Sequence, residues 1–529
     1  MQRGLRMTAN FNIASSLQES FSAHPDNEAL VAGAERYTYR TLRENVRRLA
    51  GAIRPCLTHG RVGIAASRSA EACIGILATA WAGGTYVPIN LKSPEARLIE
   101  LFERLELDAL IVDWAGEKLL TPEVEKAAPG KIFRRGADRG AFRTLEAEID
   151  APHENDADGP AHVGPDHLAY IEFTSGTTGK PKGVMVPTGA VESYLDAMTA
   201  WYDFGPDDRA AETCDITFDL SVHNMLTTWK AGATLHVLRP LDMVVPARFI
   251  RAHGITTWLS VPSVVTMARK TGGLAPDSLP SLRISLFCGE PLPVETAEAW
   301  SRAAPNSIVD NIYGPTEATI ACLRQPWTEG GLSTRERGIV AIGRPYPGME
   351  ARIVDAGGRT VADGERGEIA LAGAQLARGY FGQPELTAER FPVIDDKRWY
   401  LTGDRGYRDA DGVFHHLGRL DNQIKLHGHR IELEEIDMGL RDAAETDTAA
   451  AVAWPMANGT AEGVVGFYVP GERNGDRIRE SLRKILPPHM VPGRIQSIDA
   501  MPLNANGKID RNALTALLQQ ENSGSAAAS

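Results

Sequence analysis

Cysteine is scarce in this 529-residue chain: Cys56, Cys73, Cys214, Cys288 and Cys322 are scattered, and no two form a CxxC pair. That excludes a disulfide framework and a zinc ribbon, and it suits a reducing cytoplasm. Long apolar runs are also missing. The most apolar stretch, residues 72–90, is interrupted by Gly75, Gly83, Gly84 and Pro88, so it reads as a buried helix followed by a strand, not as a membrane span. Basic charge is in deficit, with 56 Lys and Arg against 68 Asp and Glu and a net charge of −12. No basic stripe awaits nucleic-acid phosphates. Residues 1–19 carry Arg3 and Arg6 but neither an apolar run nor a small-residue cleavage site, which argues against a secretory leader. The expectation is a cytoplasmic protein that binds no nucleic acid and inserts into no membrane.

What is present is an ordinary globular composition, 43% hydrophobic and 23% charged, at a length suited to two or three domains. Between Asn10 and about Leu120, helical patterns such as 39–53 alternate with short apolar runs at 61–65 and 109–113, the texture of an α/β unit. After a polar, proline-punctuated stretch at 146–166, read as a loop between subdomains, apolar strands return at 168–173, 233–238, 257–261 and 282–288, which predicts a second α/β unit. From Gly338 to Ala372 short β-type runs punctuated by glycine predict a small β-rich subdomain. The fold class expected is α/β, with a large N-terminal region over 1–419 and a small, mobile α+β C-terminal domain over 420–515. The tail 516–529 is small and polar and is expected to be disordered.

The segment Thr174-Ser-Gly-Thr-Thr-Gly-Lys-Pro-Lys182 follows the strand-like Tyr170-Ile-Glu-Phe173. Glycines permit a tight turn while amides, hydroxyls and two lysines converge, a suitable cradle for a polyphosphate. It is not a Walker A loop: in that frame the first glycine would fall on Thr174 and the final hydroxyl on Pro181. Further along come Phe218-Asp-Leu-Ser221, Asn311-Ile-Tyr-Gly-Pro-Thr-Glu317, Tyr400-Leu-Thr-Gly-Asp404, Gly418-Arg-Leu-Asp421 and Asn504-Ala-Asn-Gly-Lys508. Together and in this order, these motifs resemble the adenylate-forming superfamily of amino-acid adenylation domains, acyl-CoA synthetases and luciferases.

The resemblance implies roles. ATP would be held by Thr174, Ser175, Gly176, Thr177, Thr178, Gly179 and Lys182, by Gly289 and Glu290, and by Asn311, Ile312, Tyr313, Gly314 and Pro315. Tyr313 would lie along adenine, Thr316 would meet the α-phosphate, and Glu317 would bind Mg²⁺, a role suited to a hard carboxylate oxygen. Asp404 would accept the ribose hydroxyls, although a turn aspartate would satisfy the same residues, and Arg419 would approach ribose or phosphates. Lys508 would bridge the substrate carboxylate and ATP as the catalytic lysine. No general base is required, because the attacking carboxylate is already ionised near neutral pH. Asp421 would be the hinge between an adenylate-forming and a thioester-forming state, with a plain linker as the alternative.

Asp219 separates amino acids from plain acids, since the matching family residue pairs with a substrate α-ammonium. As a residue before an apolar run, it would equally serve as a helix N-cap. Leu220, His223, Ser263, Leu286, Cys288, Ile312, Ile320 and Ala321 would line a small side-chain pocket. The segments 286–293, 313–320 and 424–436 resemble D-alanyl carrier protein ligases, in which the residue matching Cys288 helps set stereochemistry; His223 departs from the apolar residue common there. The expected reaction is ATP-dependent activation of a small amino acid, D-alanine first, followed by transfer to a phosphopantetheinylated carrier protein. No carrier domain follows Lys508 in this sequence, so the carrier is expected to be a separate protein.

Overall fold

Helix boundaries follow local chemistry. Thr38 caps the helix Tyr39–Ile53 by accepting the Thr41 amide, and Ser69 caps Ala70–Ala82 through Ala72. The latter helix is buried along its whole length and ends at Gly83 in the left-handed region (φ +90°), from which the chain turns into the buried strand Thr85–Pro88. The apolar stretch at 72–90 is thus a core helix and strand. The computed structural model describes residues 10–135, 142–143, 159–176, 181–270, 272–426, 428–457, 460–469, 474–504 and 509–526.

Two compact units are present. The larger takes in residues up to 91, 101–173 and 183–417; the smaller takes in 92–100, 174–182 and 418 onward. The larger unit is built on two big sheets. One runs Arg344–Pro345, Leu323–Pro326, Ile308–Tyr313, Ile284–Phe287, Thr257–Ser260, Arg209–Glu212, Thr234–Val237, Glu28–Ala32, Glu35–Thr38. Its strands from Ile308–Tyr313 to Glu28–Ala32 are parallel. The other runs Gly379–Tyr380, Lys182–Pro187, Leu168–Thr174, Thr85–Pro88, Arg61–Ala65, Ala109–Val112, Ile132–Arg135, Phe142–Arg143. A four-stranded sheet of Met349–Val354, Gly367–Gly373, Tyr400–Arg408 and Phe414–Arg419 supplies the β-rich part.

The two α/β layers are not consecutive in the chain, as the strand pattern suggested. The hairpin Glu28–Thr38 joins the later sheet, pairing Leu30 with Leu235, while Leu168–Thr174 joins the earlier one, pairing Tyr170 with Tyr86. Strand periodicity reports a pleated, half-buried surface and carries no address for the partner strand.

In the smaller unit, the hairpin Gln423–Leu426/His429–Glu432 leads into Leu433–Ala444, and a three-stranded sheet of Ala449–Ala453, Val464–Tyr468 and Arg494–Ser497 packs with Gly475–Ile485 and Arg511–Ala526. The expectation of a disordered tail over 516–529 is corrected here: the chain is helical to Ala526. Leu514 and Leu518 are buried against Ala450, Val452, Val465 and Phe467, an apolar anchor that the polar composition around them conceals. Residues 527–529, and 146–158 of the anticipated inter-subdomain loop, lie outside the described residues.

Candidate active site

Parallel α/β sheets open their crevices beyond the carboxyl ends of the strands. Most of the residues singled out in the larger unit stand there. Asp219 comes after Arg209–Glu212, Ser263 after Thr257–Ser260, Gly289 and Glu290 after Ile284–Phe287, and Gly314 to Glu317 after Ile308–Tyr313.

The connection from Tyr313 to Leu323 is a tightly folded hairpin loop. Cys322 donates its amide to the Tyr313 carbonyl at 2.8 Å, and Thr316–Ala318 forms a 3₁₀ turn. A Cβ on Gly314 would come within 2.5 Å of the Ala321 backbone, so only glycine fits. Thr319 and Ile320 both hold positive φ, and the Gln375 amide pins the returning strand by donating to the Ala321 carbonyl at 2.8 Å. Glu317 is fully buried and accepts the Tyr380 hydroxyl at 2.8 Å. Among the described residues no cluster of three His, Cys, Asp or Glu side chains forms a metal cage. A single buried carboxylate suits Mg²⁺ carried in on phosphates, which usually takes one or two protein carboxylates and keeps water.

Asp404 and Tyr313 meet directly, the Tyr313 hydroxyl donating to Asp404 Oδ2. His416 Nε2 stands 3.4 Å from Asp404 Oδ1, and Arg337 donates to His416 Nδ1 at 2.7 Å. With Nδ1 accepting, the proton of a neutral imidazole sits on Nε2 and points to the carboxylate. Sequence reasoning missed Arg337 and His416, whose separation in the chain gives no signal. Asn311, on the strand Ile308–Tyr313, donates to the Ala341 carbonyl at 2.8 Å. Glu290 accepts the Ser263 amide at 2.9 Å, which brings those two candidates together at the start of Pro262–Lys270.

Asp219 is buried at the head of Leu220–Lys230, yet its side chain makes no capping hydrogen bond. The N-cap alternative therefore does not account for it. Next to it lies Glu172, whose carboxyl accepts the Asp219 amide; burial first, and the nearby Asp219 charge second, push Glu172 well above the usual carboxylate range. A lone glutamate in the apolar run 168–173 was the visible and unused signal. Leu220, Leu286, Cys288, Ile312, Ile320 and Ala321 join one buried apolar cluster. His223, one helical turn beyond Asp219, bonds through Nδ1 to the Tyr194 hydroxyl at 2.7 Å, and burial pushes its imidazole down to about 3.

In the smaller unit, the Ser175 hydroxyl donates to the Arg430 carbonyl at 2.7 Å, and Lys182 pairs with Glu432 at 2.9 Å. Gly176 donates its amide to Glu435, which Arg97 also grips at 2.6 Å. Thr174 closes the strand Leu168–Thr174. Arg419 clasps Asp421 through two bonds of 2.9 and 2.6 Å. Burial alone would raise Asp421, but this ion pair holds it below the usual range. Thr177, Thr178, Gly179 and Lys508 lie outside the described residues.

Residues 17–381 match the AMP-binding enzyme family, and residues 435–508 match the AMP-binding enzyme C-terminal domain. The chain belongs to the AMP-binding enzymes. This adenylate-forming enzyme is 35% identical to phosphinothricin tripeptide synthetase PhsC of Streptomyces viridochromogenes over 95% of its own length, but spans only 45% of that protein. It is 31% identical to a D-alanine--D-alanyl carrier protein ligase of Lacticaseibacillus paracasei, over 96% of this chain and 99% of that one. Among solved structures, the Vibrio cholerae adenylation domain AlmE in complex with glycyl-adenosine-5'-phosphate superposes with a TM-score of 0.85 at 30% identity, covering 97% of this chain and 98% of the other. No helix among the described residues is long and apolar enough to cross a membrane.

Proposed function

We propose that this enzyme activates a small amino acid as its aminoacyl adenylate and passes the acyl group to the phosphopantetheine thiol of a separate carrier protein. The observation that carries the amino-acid reading is Asp219: a buried carboxylate at the head of Leu220–Lys230 that does not cap that helix, in the motif position that the family resemblance gives to the group meeting a substrate α-ammonium. D-alanine is the first candidate, in line with the carrier protein ligase spanned end to end, and glycine is the other small amino acid suggested by the AlmE likeness.

In the first step a substrate carboxylate oxygen attacks the α-phosphorus of ATP and pyrophosphate leaves. In the second the carrier thiol attacks the acyl carbon and AMP leaves. Tyr313 and Asp404 would hold the nucleoside, Thr316 the α-phosphate, and the loop 174–182 the outer phosphates. Glu317 would hold Mg²⁺, whose contribution is charge neutralisation on the phosphates. Lys508, from a C-terminal lid over 420–515, would offset charge on the leaving pyrophosphate. ATP–pyrophosphate exchange over both alanine enantiomers, glycine, serine and acetate tests this. Exchange with amino acids is expected; exchange with acetate or fatty acids alone would mean an acyl-CoA synthetase.

A further inference from the structure

Two tyrosines that the sequence did not single out lie among the residues assigned to the side-chain pocket. Tyr194 bonds to His223, and its ring stacks on that of Tyr346 at 6.2 Å between centroids and 27° between planes. Both tyrosines lie near Cys288, and Tyr194 also lies near Asp219. Tyr346 is buried, and its hydroxyl has no hydrogen-bond partner among the described residues. Around it stand Tyr194 and Tyr202, whose hydroxyls bond to His223 and Asp310, and Cys288 and Cys322, whose sulfur is a weak acceptor. A native fold rarely buries a phenol without a partner, so an orphan hydroxyl on the ring stacked against Tyr194 points to a group that arrives with the substrate.

The Tyr194–His223 pair supplies a second directed donor. The bond to His223 is the one that Tyr194 makes through its side chain among the described residues. With Tyr194 donating to Nδ1, the remaining imidazole proton sits on Nε2. Burial keeps that ring neutral. It can therefore donate to a substrate, but it offers no counter-charge to a carboxylate. Leu220, Leu286 and Ile320 belong to the same buried apolar cluster as Tyr194 and Tyr346.

We propose that Tyr346 and the Tyr194–His223 pair form a hydrogen-bonding floor to the side-chain pocket, and that the enzyme activates a small amino acid bearing a side-chain hydroxyl in preference to alanine. A hydroxyl oxygen has two lone pairs, so it can accept from Tyr346 and from His223 Nε2 together, which satisfies the orphan. An alkyl side chain of the same size leaves it unpaired. This inference rests on the amino-acid reading of the site and changes the choice among small amino acids.

The test is ATP–pyrophosphate exchange with serine, threonine, alanine and 2-aminobutyrate, each as both enantiomers, 2-aminobutyrate being serine with a methyl in place of the hydroxyl. The wild-type enzyme is expected to prefer serine or threonine over 2-aminobutyrate in kcat/KM by roughly tenfold or more. In Tyr346→Phe that ratio is expected to collapse toward one, chiefly through loss of the hydroxyl substrate. Tyr194→Phe, which releases His223, should reduce the ratio as well. Wild-type preference for alanine or 2-aminobutyrate would overturn this inference while leaving amino-acid activation intact. A wild-type ratio unmoved by Tyr346→Phe would also overturn it. Exchange with acetate or fatty acids alone would overturn the amino-acid reading and this inference with it.

Discussion

Beside Glu172, a second carboxyl that burial pushes well above the usual carboxylate range, the proposed partner of the substrate ammonium is Asp219. Removing it with Asp219→Ala leaves an incoming ammonium buried without a partner. The expected loss is about 3–5 kcal/mol, or more than a hundredfold in kcat/KM for amino-acid exchange. Lys508→Ala is expected to slow adenylate formation by about 10²–10³-fold if that lysine stabilises the departing pyrophosphate, a drop that single-turnover measurement would separate from binding. His223 gives a prediction about pH. Unfolded, it titrates near 6.5; folded, it is pushed down to about 3. Between those values the unfolded chain holds a proton that the folded chain lacks, so stability falls as the pH falls, by about 1.4 kcal/mol per pH unit. His223→Gln should flatten that part of the acid slope, as read from urea midpoints between pH 4 and 6.5.

At the scale of single elements, the helix Arg511–Ala526 and the loop after Tyr313 show what a sequence reveals and what it hides. The loop was legible because its chemistry is local: Gly314 is needed where a Cβ would strike the Ala321 backbone, and the motif shows the glycine. The terminal helix was not legible, because two leucines within a polar stretch declare a helix only once the sheet Ala449–Ala453/Val464–Tyr468 exists to receive them. Leu518→Ala is expected to destabilise the smaller unit by about 2–5 kcal/mol, visible as an earlier urea transition. Individual strands and helices were read nearly residue by residue, as with Tyr39–Ile53 and Arg61–Ala65. At the site, the residues inside contiguous motifs were found, whereas Arg337, His416, Tyr194 and Tyr346 were missed. Their partners lie 79 residues apart in one case and 29 in another, and no periodicity reports such a distance.

For the molecule as a whole, the proposed two-step reaction would have the smaller unit serve both a nucleotide and a carrier thiol. The Arg419–Asp421 clasp lies at the start of that unit's last and longest segment, residues 418 onward. Proline at 421 would fix φ near −65° and remove the backbone freedom that a hinge uses. Asp421→Pro is therefore expected to keep pyrophosphate exchange within a few-fold while lowering aminoacyl transfer to a holo carrier by roughly tenfold or more. Equal losses in both half-reactions would count against a pivot at this residue.

The strand exchange between the two large sheets also governs how the protein is made. The first hairpin, Glu28–Thr38, pairs with Thr234–Val237, so it must wait for about two hundred further residues to leave the ribosome before its partner strand exists. Until then its apolar edge is exposed in the nascent chain. Synthesis halted anywhere between these strands would yield a fragment with an unfinished sheet, a natural client for chaperones, and the gene should tolerate division poorly within that interval.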